Sequence, residues 1–289
     1  MIGLMSHVVP RTFPVIDISA WDAGEIEEMG ARDKLWVTSD PDVGLPSHLW
    51  KAARSHGKLP DYGADSCAER MAAELACLLG VLAVPAELAV RQSQRGVITE
   101  RIEGELRHGN ELLSALMPDY EKDRRGPVAG YDLESIRSVL AEYSGWSEGV
   151  SAFECFTGLL VFDALIGNTD RHHENWAVVQ DTGILAPSFD HGASLGFNAT
   201  AAQMADPSRY AARARARHFG RDRSPSDVAQ EALTLAGPDV SDMWLRRVES
   251  IEDTQIQQIV EAIPGSWMSV PRRTFVTAVV GANRRRLLA

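Results

Sequence analysis

Hydrophobic residues are spaced in two ways along this chain. Lys34 to Thr38 (KLWVT) and His48 to Ala52 (HLWKA) are short aromatic and apolar runs on either side of the turn cluster Ser39-Asp40-Pro41-Asp42-Val43-Gly44, which predicts two adjacent strands. From Ser66 the period becomes helical. Cys67, Met71, Leu75, Leu78 and Leu79 fall at i, i+4, i+8, i+11 and i+12, Gly80 closes the run, and Ser66 with Glu69 has capping-box spacing at its start. Leu88 to Arg91 and Gly96 to Ile102 read as strands again, so residues 30–102 predict a β-β-α-β-β unit, a small mixed sheet carrying one helix. Beyond Gly104 the pattern is mostly helical: Asp132 to Tyr143, Ser151 to Ile166, Thr254 to Ile263 and Pro271 to Leu288. The second of these, SAFECFTGLLVFDALI, is apolar nearly all round, as expected of the central helix of a larger lobe. A β-rich lobe over 1–103 and a helical lobe over 104–289 would leave a cleft between them, and clefts between lobes are where ligand sites form.

Composition changes this picture little, but charge changes it more. With 45% hydrophobic and 24% charged residues in 289, the chain has enough apolar material for a sizeable core and does not read as disordered or membrane-embedded. Twenty-nine basic against forty acidic residues give a net charge of −11, which repels nucleic acid and anionic membrane over most of the surface. An anionic ligand must therefore meet a local basic site or arrive with cations. Cys67, Cys77 and Cys155 have neither disulfide-framework nor metal-ligand spacing, and the N-terminus lacks the pattern of a secretion signal, so a reducing, cytoplasmic setting is expected.

The chemistry concentrates directly after the apolar helix. Gly167-Asn168-Thr169-Asp170-Arg171-His172-His173-Glu174-Asn175 is a dense polar loop, followed by a predicted hairpin: Trp176 to Val179, the turn Gln180-Asp181-Thr182-Gly183, then Ile184 to Phe189, ending at Asp190. Folding this hairpin about the middle of its turn sets position 175 opposite about 188, which brings Asn175 and Asp190 to one end beside Asp170. Taken singly, each is an ordinary turn residue. Together, an Asp, an Asn five residues on and a second Asp after a hairpin make the arrangement used by protein kinases: one carboxylate accepts the proton of the acceptor hydroxyl, while hard oxygen ligands hold Mg²⁺ on the phosphates. His172 and His173 lack the HExxH spacing of a zinc site; His172 is read as bracing the loop, His173 and Glu174 as solvated.

Asn168-x-Asp170-x-His172-x-x-Asn175, with Ala186-Pro187-x-Phe189-Asp190 after it, resembles the catalytic and metal-binding segments of the HipA-like serine/threonine kinases. The resemblance implies an α+β, two-lobed protein-kinase-like fold, ATP and Mg²⁺ as cofactors, Asp170 as catalytic base and Asn175 and Asp190 as metal ligands. Gly30-Ala31-Arg32-Asp33-Lys34 is similar to the family's phosphate-binding loop, Lys51 to its nucleotide lysine, Glu69 to the helix glutamate that pairs with that lysine, and Glu100, Arg101 and Ile102 to the hinge beside adenine. Glu69 is equally well explained by the Ser66 capping box. The family also implies a protein substrate such as an aminoacyl-tRNA synthetase or another translation protein, a toxin role and an antitoxin partner; the net charge of −11 argues against direct DNA binding. Two features depart from the longer HipA toxins. The residues before Gly30 are too few for their extra N-terminal subdomain, and Glu27 stands where some members carry an autophosphorylated serine.

Two further readings of the reaction stay open: a small-molecule or phosphoinositide kinase, since related lipid kinases share this type of loop, and a nucleotide-binding pseudokinase. The run Arg209, Arg213, Arg215, Arg217, His218, Arg221 and Arg223 is either a solvated helix or loop, or a basic platform near the cleft for an acidic or tRNA-bound protein.

Overall fold

The computed structural model describes residues 9–27, 34–39, 47–54 and 61–289. The chain first forms β1 (Val15–Asp17), β2 (Asp22–Glu27), β3 (Lys34–Thr38), β4 (His48–Ala52), α1 (Ala64–Leu79), β5 (Ala86–Arg91) and β6 (Gln94–Glu100). The two strands anticipated at Lys34 and His48 occupy the expected residues; most of the turn cluster between them, 40–44, lies outside the described residues. Six strands form one sheet in the order β1-β5-β6-β4-β3-β2, with β1 parallel to β5 and the other neighbours antiparallel. Its first and last strands, VID and DAGEIE, were not anticipated; they are too short and too polar to stand out by alternation. The register sets Lys34 beside Lys51 on β3 and β4, and Lys51 beside Val97 on β6. Gly96 allows that approach: a Cβ there would lie 2.3 Å from the Trp50 ring and 2.4 Å from the Lys51 carbonyl oxygen.

Helix α1 corrects one expectation. Its N-cap is Gly63, in the left-handed region at φ 91°, and Ser66 lies buried within the first turn without capping it. The capping-box explanation of Glu69 therefore falls away. Gly80 ends the helix as expected, at φ 73°.

The rest of the chain forms β7 (Leu106–His108), α2 (Gly109–Leu116), α3 (Leu133–Leu140), α4 (Ala152–Ile166), β8 (Ala177–Val179), β9 (Ile184–Leu185), α5 (Ala201–Met204), α6 (Pro207–Ala212), a 3-10 turn at Arg217–Phe219, α7 (Pro225–Ala236), α8 (Pro238–Glu249), α9 (Asp253–Ala262) and α10 (Val270–Leu287). Every residue of α4 except Glu154 is buried, which makes it the centre of the helical lobe, packed by α1, α3, α7, α8 and α10. Ser151 and Glu154 close a capping box at its start, and Gly167 turns the chain out at φ 64° into the polar loop. That loop leads into β8 and β9, which pair Val178 with Leu185 and Val179 with Ile184, the register expected from the turn; β7 completes this three-stranded sheet.

The main core runs from Phe13 and α1 through α4 to α10, so the helix of the small lobe shares the hydrophobic interior of the large one. A second, smaller core of Ile18, Val37, Trp50, Ala89 and Ile98 lies within the six-stranded sheet. The three cysteines are free thiols: Cys67 and Cys155 are buried, which pushes them up to about 12 and about 11, and Cys77 is exposed near the end of α1. No described helix is long and apolar enough to cross a membrane.

Candidate active site

The polar loop after α4 is held from below. Arg171 is buried, with its guanidinium bound to both oxygens of Asp163 at 2.8 Å; it also donates to the Asn175 carbonyl at 2.5 Å and to Ser188 Oγ at 3.0 Å. Burial opposes the guanidinium's charge, but Asp163 outweighs it and holds Arg171 above its usual pKa. Asn168 donates to Asp163 Oδ1 at 2.8 Å and accepts the Asp170 N–H at 3.1 Å, tying the loop to the end of α4. Tyr131 donates to the Arg171 carbonyl and receives the Trp176 indole N–H. The expectation of a solvated His173 is overturned: it is buried, hydrogen-bonded at Nδ1 to the Tyr120 hydroxyl at 2.7 Å, and burial pulls its pKa down to about 4. The bracing expected of His172 comes chiefly from Arg171. A lone carboxylate in the apolar second half of α4, Asp163, was the sequence signal that could have exposed it.

So fixed, the loop presents Asp170 with its side chain about half exposed and Asn175 with its amide nitrogen donated to the Asp170 carbonyl at 2.7 Å. That bond engages the amide nitrogen and leaves the amide oxygen as the acceptor of a side chain that lines the cavity. His172 lines the same cavity; burial lowers its pKa, and its Nδ1 accepts the Glu174 N–H at 3.2 Å.

Across the cavity, Lys51 is buried on β4. Its ammonium donates to Glu69 Oε1 at 3.3 Å and to Asp190 Oδ1 at 3.2 Å, while Lys34 on β3 donates to Asp190 Oδ2 at 3.1 Å. Burial works against the Lys51 charge, but Asp190 and Glu69 overcome it and raise its pKa. Glu69 Oε1 also accepts the backbone N–H of His191 at 3.1 Å, linking α1 to the loop that carries Asp190. Asp190 itself adopts the left-handed region at φ 61°, a conformation that Asp tolerates better than most residues. Behind it, Ser188 hydrogen-bonds His191 Nε2 at 2.7 Å, and burial drives the His191 pKa down to about 3.

The cavity between these two walls has a volume of about 330 Å³. It brings together Lys51, Asp170, His172, Asn175, Asp190 and the expected hinge residues Glu100, Arg101 and Ile102; Glu69 stands just behind Lys51. Gly30, Ala31 and Arg32 lie outside the described residues. Its lining combines the apolar side chains of Trp36, Leu49, Val84, Ile102, Leu106 and Phe189 with the two lysines. Sequence reading missed Asp163, Arg171, Ser188, His191 and the reach of Lys34 to Asp190.

Asn175 and Asp190 offer an amide oxygen and a carboxylate. This donor set fits Mg²⁺, which is commonly held by one or two protein oxygens together with phosphate rather than by an all-protein cage. Among the described residues no cluster of three or more His, Cys, Asp or Glu side chains forms such a cage.

A model of the HipA-like C-terminal domain matches residues 28–263, a span that includes Asp170, Asn175 and Asp190. The chain belongs to the HipA-like family. The HipA-like architecture recurs in solved structures: a crystal structure of the Helicobacter pylori proinflammatory kinase CtkA superposes with a TM-score of 0.70 at 16% identity, covering 95% of this chain and 96% of that one. HipA of Shewanella oneidensis MR-1, in a toxin–antitoxin complex with HipB and operator DNA, gives 0.58 at 14% identity over 96% of this chain and 67% of its own. No curated protein matches. At these identities the neighbours establish the HipA-like fold, a curled sheet beside a helical lobe, and the family match establishes the relation.

Proposed function

We propose that this HipA-like protein is an ATP- and Mg²⁺-dependent serine/threonine protein kinase. The observation that carries the proposal is the convergence on one cavity of the Asp170 carboxylate, the Asn175 amide oxygen, Asp190 and a lysine supported by a helix glutamate. In this reading the apolar part of the lining takes the adenine beside Glu100 to Ile102, and Lys51 offers its ammonium to the phosphates, with Gly30 to Arg32 covering them. Asn175 and Asp190 would hold the metal, a role for which Asp190 would give up its lysine contacts. Bound Mg²⁺ neutralises phosphate charge, which a chain of net charge −11 otherwise repels. Asp170 accepts the proton of the acceptor hydroxyl as the new O–P bond forms and the bond from the γ-phosphorus to the bridging oxygen breaks, releasing ADP. His172 lies at the wall of this site. Residues 1–103 would carry nucleotide-phosphate binding and 104–289 the catalytic loop and metal ligands.

A protein acceptor is supported by the half-exposed position of Asp170 and by the family. By the same relation, the chain acts as a cytoplasmic toxin on a translation protein such as an aminoacyl-tRNA synthetase, with an antitoxin to restrain it. Asp170→Asn is expected to lower phosphoryl transfer from labelled ATP by roughly 10² to 10⁴ while leaving nucleotide binding intact. An unchanged rate removes Asp170 as base; label found only in lipid or metabolite fractions removes the protein acceptor.

A further inference from the structure

The segment after α5 is only in part a solvated charge run. Between Arg209 and Arg223 it holds six arginines and a single acidic residue, Asp222, in a chain that is otherwise strongly acidic. Residues 216–223 form a closed loop: the Ala216 N–H donates to the Arg223 carbonyl at 2.8 Å, and the Phe219 N–H returns to the Ala216 carbonyl at 2.9 Å. The loop is anchored on the active site. Phe219 packs against Tyr131 at a ring distance of 4.8 Å, His218 sits 5.3 Å from the His172 ring, and His218 Nε2 lies 3.3 Å from Asp170 Oδ1. Arg223 is turned back on Glu231, and Arg215 on the carbonyls of Ala212 and Ala214. Arg209, Arg213, Arg217 and Arg221 are exposed and make no ion pair with a described residue.

We propose that this loop, together with the adjoining α6, is the acceptor-recognition surface and that its occupant is an acidic polypeptide segment flanking the hydroxyl to be phosphorylated. The inference rests on the kinase reading and adds the substrate class to it. Arginine forks bind carboxylates in bidentate fashion, and a charged patch of this kind steers a complementary partner to the catalytic residue beside it. A short acidic stretch fits better than a polynucleotide, because a long polyanion would run from the patch onto the acidic remainder of the surface. His218 marks the seat of the hydroxyl: the acceptor must take its place against Asp170 Oδ1.

The test compares three synthetic peptides, each with one central serine flanked by glutamates, glutamines or lysines, using the full chain with Mg-ATP and measuring both ADP formation and peptide phosphorylation. The expected result is a preference for the acidic peptide of about tenfold or more in kcat/KM, the size of one good charge pairing. The preference should shrink as salt is raised from about 50 to 300 mM. The double variants Arg217→Glu/Arg221→Glu and Arg209→Glu/Arg213→Glu should raise KM for the acidic peptide and spare kcat and Mg-ATP binding. Equal use of the three peptides, or an acidic preference that survives both double variants, overturns the inference while leaving the kinase reading standing. Inhibition by an RNA oligonucleotide stronger than by a serine-free acidic peptide overturns it in favour of a nucleic acid. Absence of ADP formation and of transfer to any peptide or to the chain itself overturns the kinase reading, and the inference with it.

Discussion

The two walls of the cavity are built on different principles. The loop that carries Asp170 is clamped by buried contacts with few alternatives: Arg171 fills both oxygens of Asp163, an asparagine carbonyl and a serine hydroxyl, and Tyr131 and Tyr120 close the back. The opposite wall is made of charges that can trade partners. Lys34 and Lys51 share Asp190, and Lys51 also leans on Glu69. In the proposed reaction the base is thus preorganised, whereas the wall assigned to metal and phosphate satisfies itself internally and would have to let go of those pairs to engage nucleotide. Preorganisation belongs where charge develops late and geometry must be exact to fractions of an ångström; exchangeable pairing suits groups that have to receive a polyanion and a cation together.

Breaking the clamp should cost most. Arg171→Met leaves Asp163 buried without its partner and should destabilise the fold by about 3–5 kcal/mol in urea unfolding, with activity lost in step. Lys51→Met strikes the exchangeable wall: transfer should fall about 10²-fold, with a smaller loss of stability, since Glu69 keeps the His191 N–H as a donor. A stability loss matching that of Arg171→Met would erase the distinction between the walls. His191 joins them, through Glu69 on one side and Ser188 on the other. Its folded pKa of about 3 and that of His173, about 4, lie below the ordinary 6.5, so each contributes stability that is present above pH 6.5 and is lost as pH falls through that window. Each adds at most about 1.4 kcal/mol per pH unit to the acid slope. His191→Gln should flatten the dependence of the unfolding midpoint between pH 6.5 and 4; an unchanged slope would show that this histidine is not kept neutral. The smallest effect is expected at Lys34, whose ion pair is part-buried. Lys34→Met releases Asp190 Oδ2 and should lower the Mg²⁺ concentration for half-maximal activity by up to about fivefold, the worth of a weak ion pair. A higher Mg²⁺ requirement would mean that Lys34 assists metal binding instead of competing with it.

What could be read in the sequence was local. Asp170, Asn175 and Asp190 fall within one helix–loop–hairpin unit, and a four-residue turn suffices to set the 175-to-188 register. Strands β3 and β4 were legible because aromatic and apolar residues concentrate there between breakers. The rest depends on chain segments that meet only in the folded molecule. Lys34 and Asp190 are 156 positions apart, and nothing near either indicates the other. His173 reads as solvated until Tyr120 and Tyr131 are folded over it. The capping box at Ser66 failed because Gly63 had already turned the chain into helix three residues earlier, a choice made by tertiary packing of α1 rather than by side-chain capping. Conversely, losing that box strengthened the site, since Glu69 now has its partners in Lys51 and His191 alone among the described contacts.

The cysteines have a practical use. Cys67 and Cys155 are sealed in the core with thiols held far from ionisation, whereas Cys77 is open to solvent two turns beyond Glu69 on the same helix. A maleimide dye should therefore attach at one position without any engineered background. That position rides on the helix whose Glu69 supports Lys51, so the native chain already carries an optical handle on the wall whose ion pairs would open in the proposed reaction.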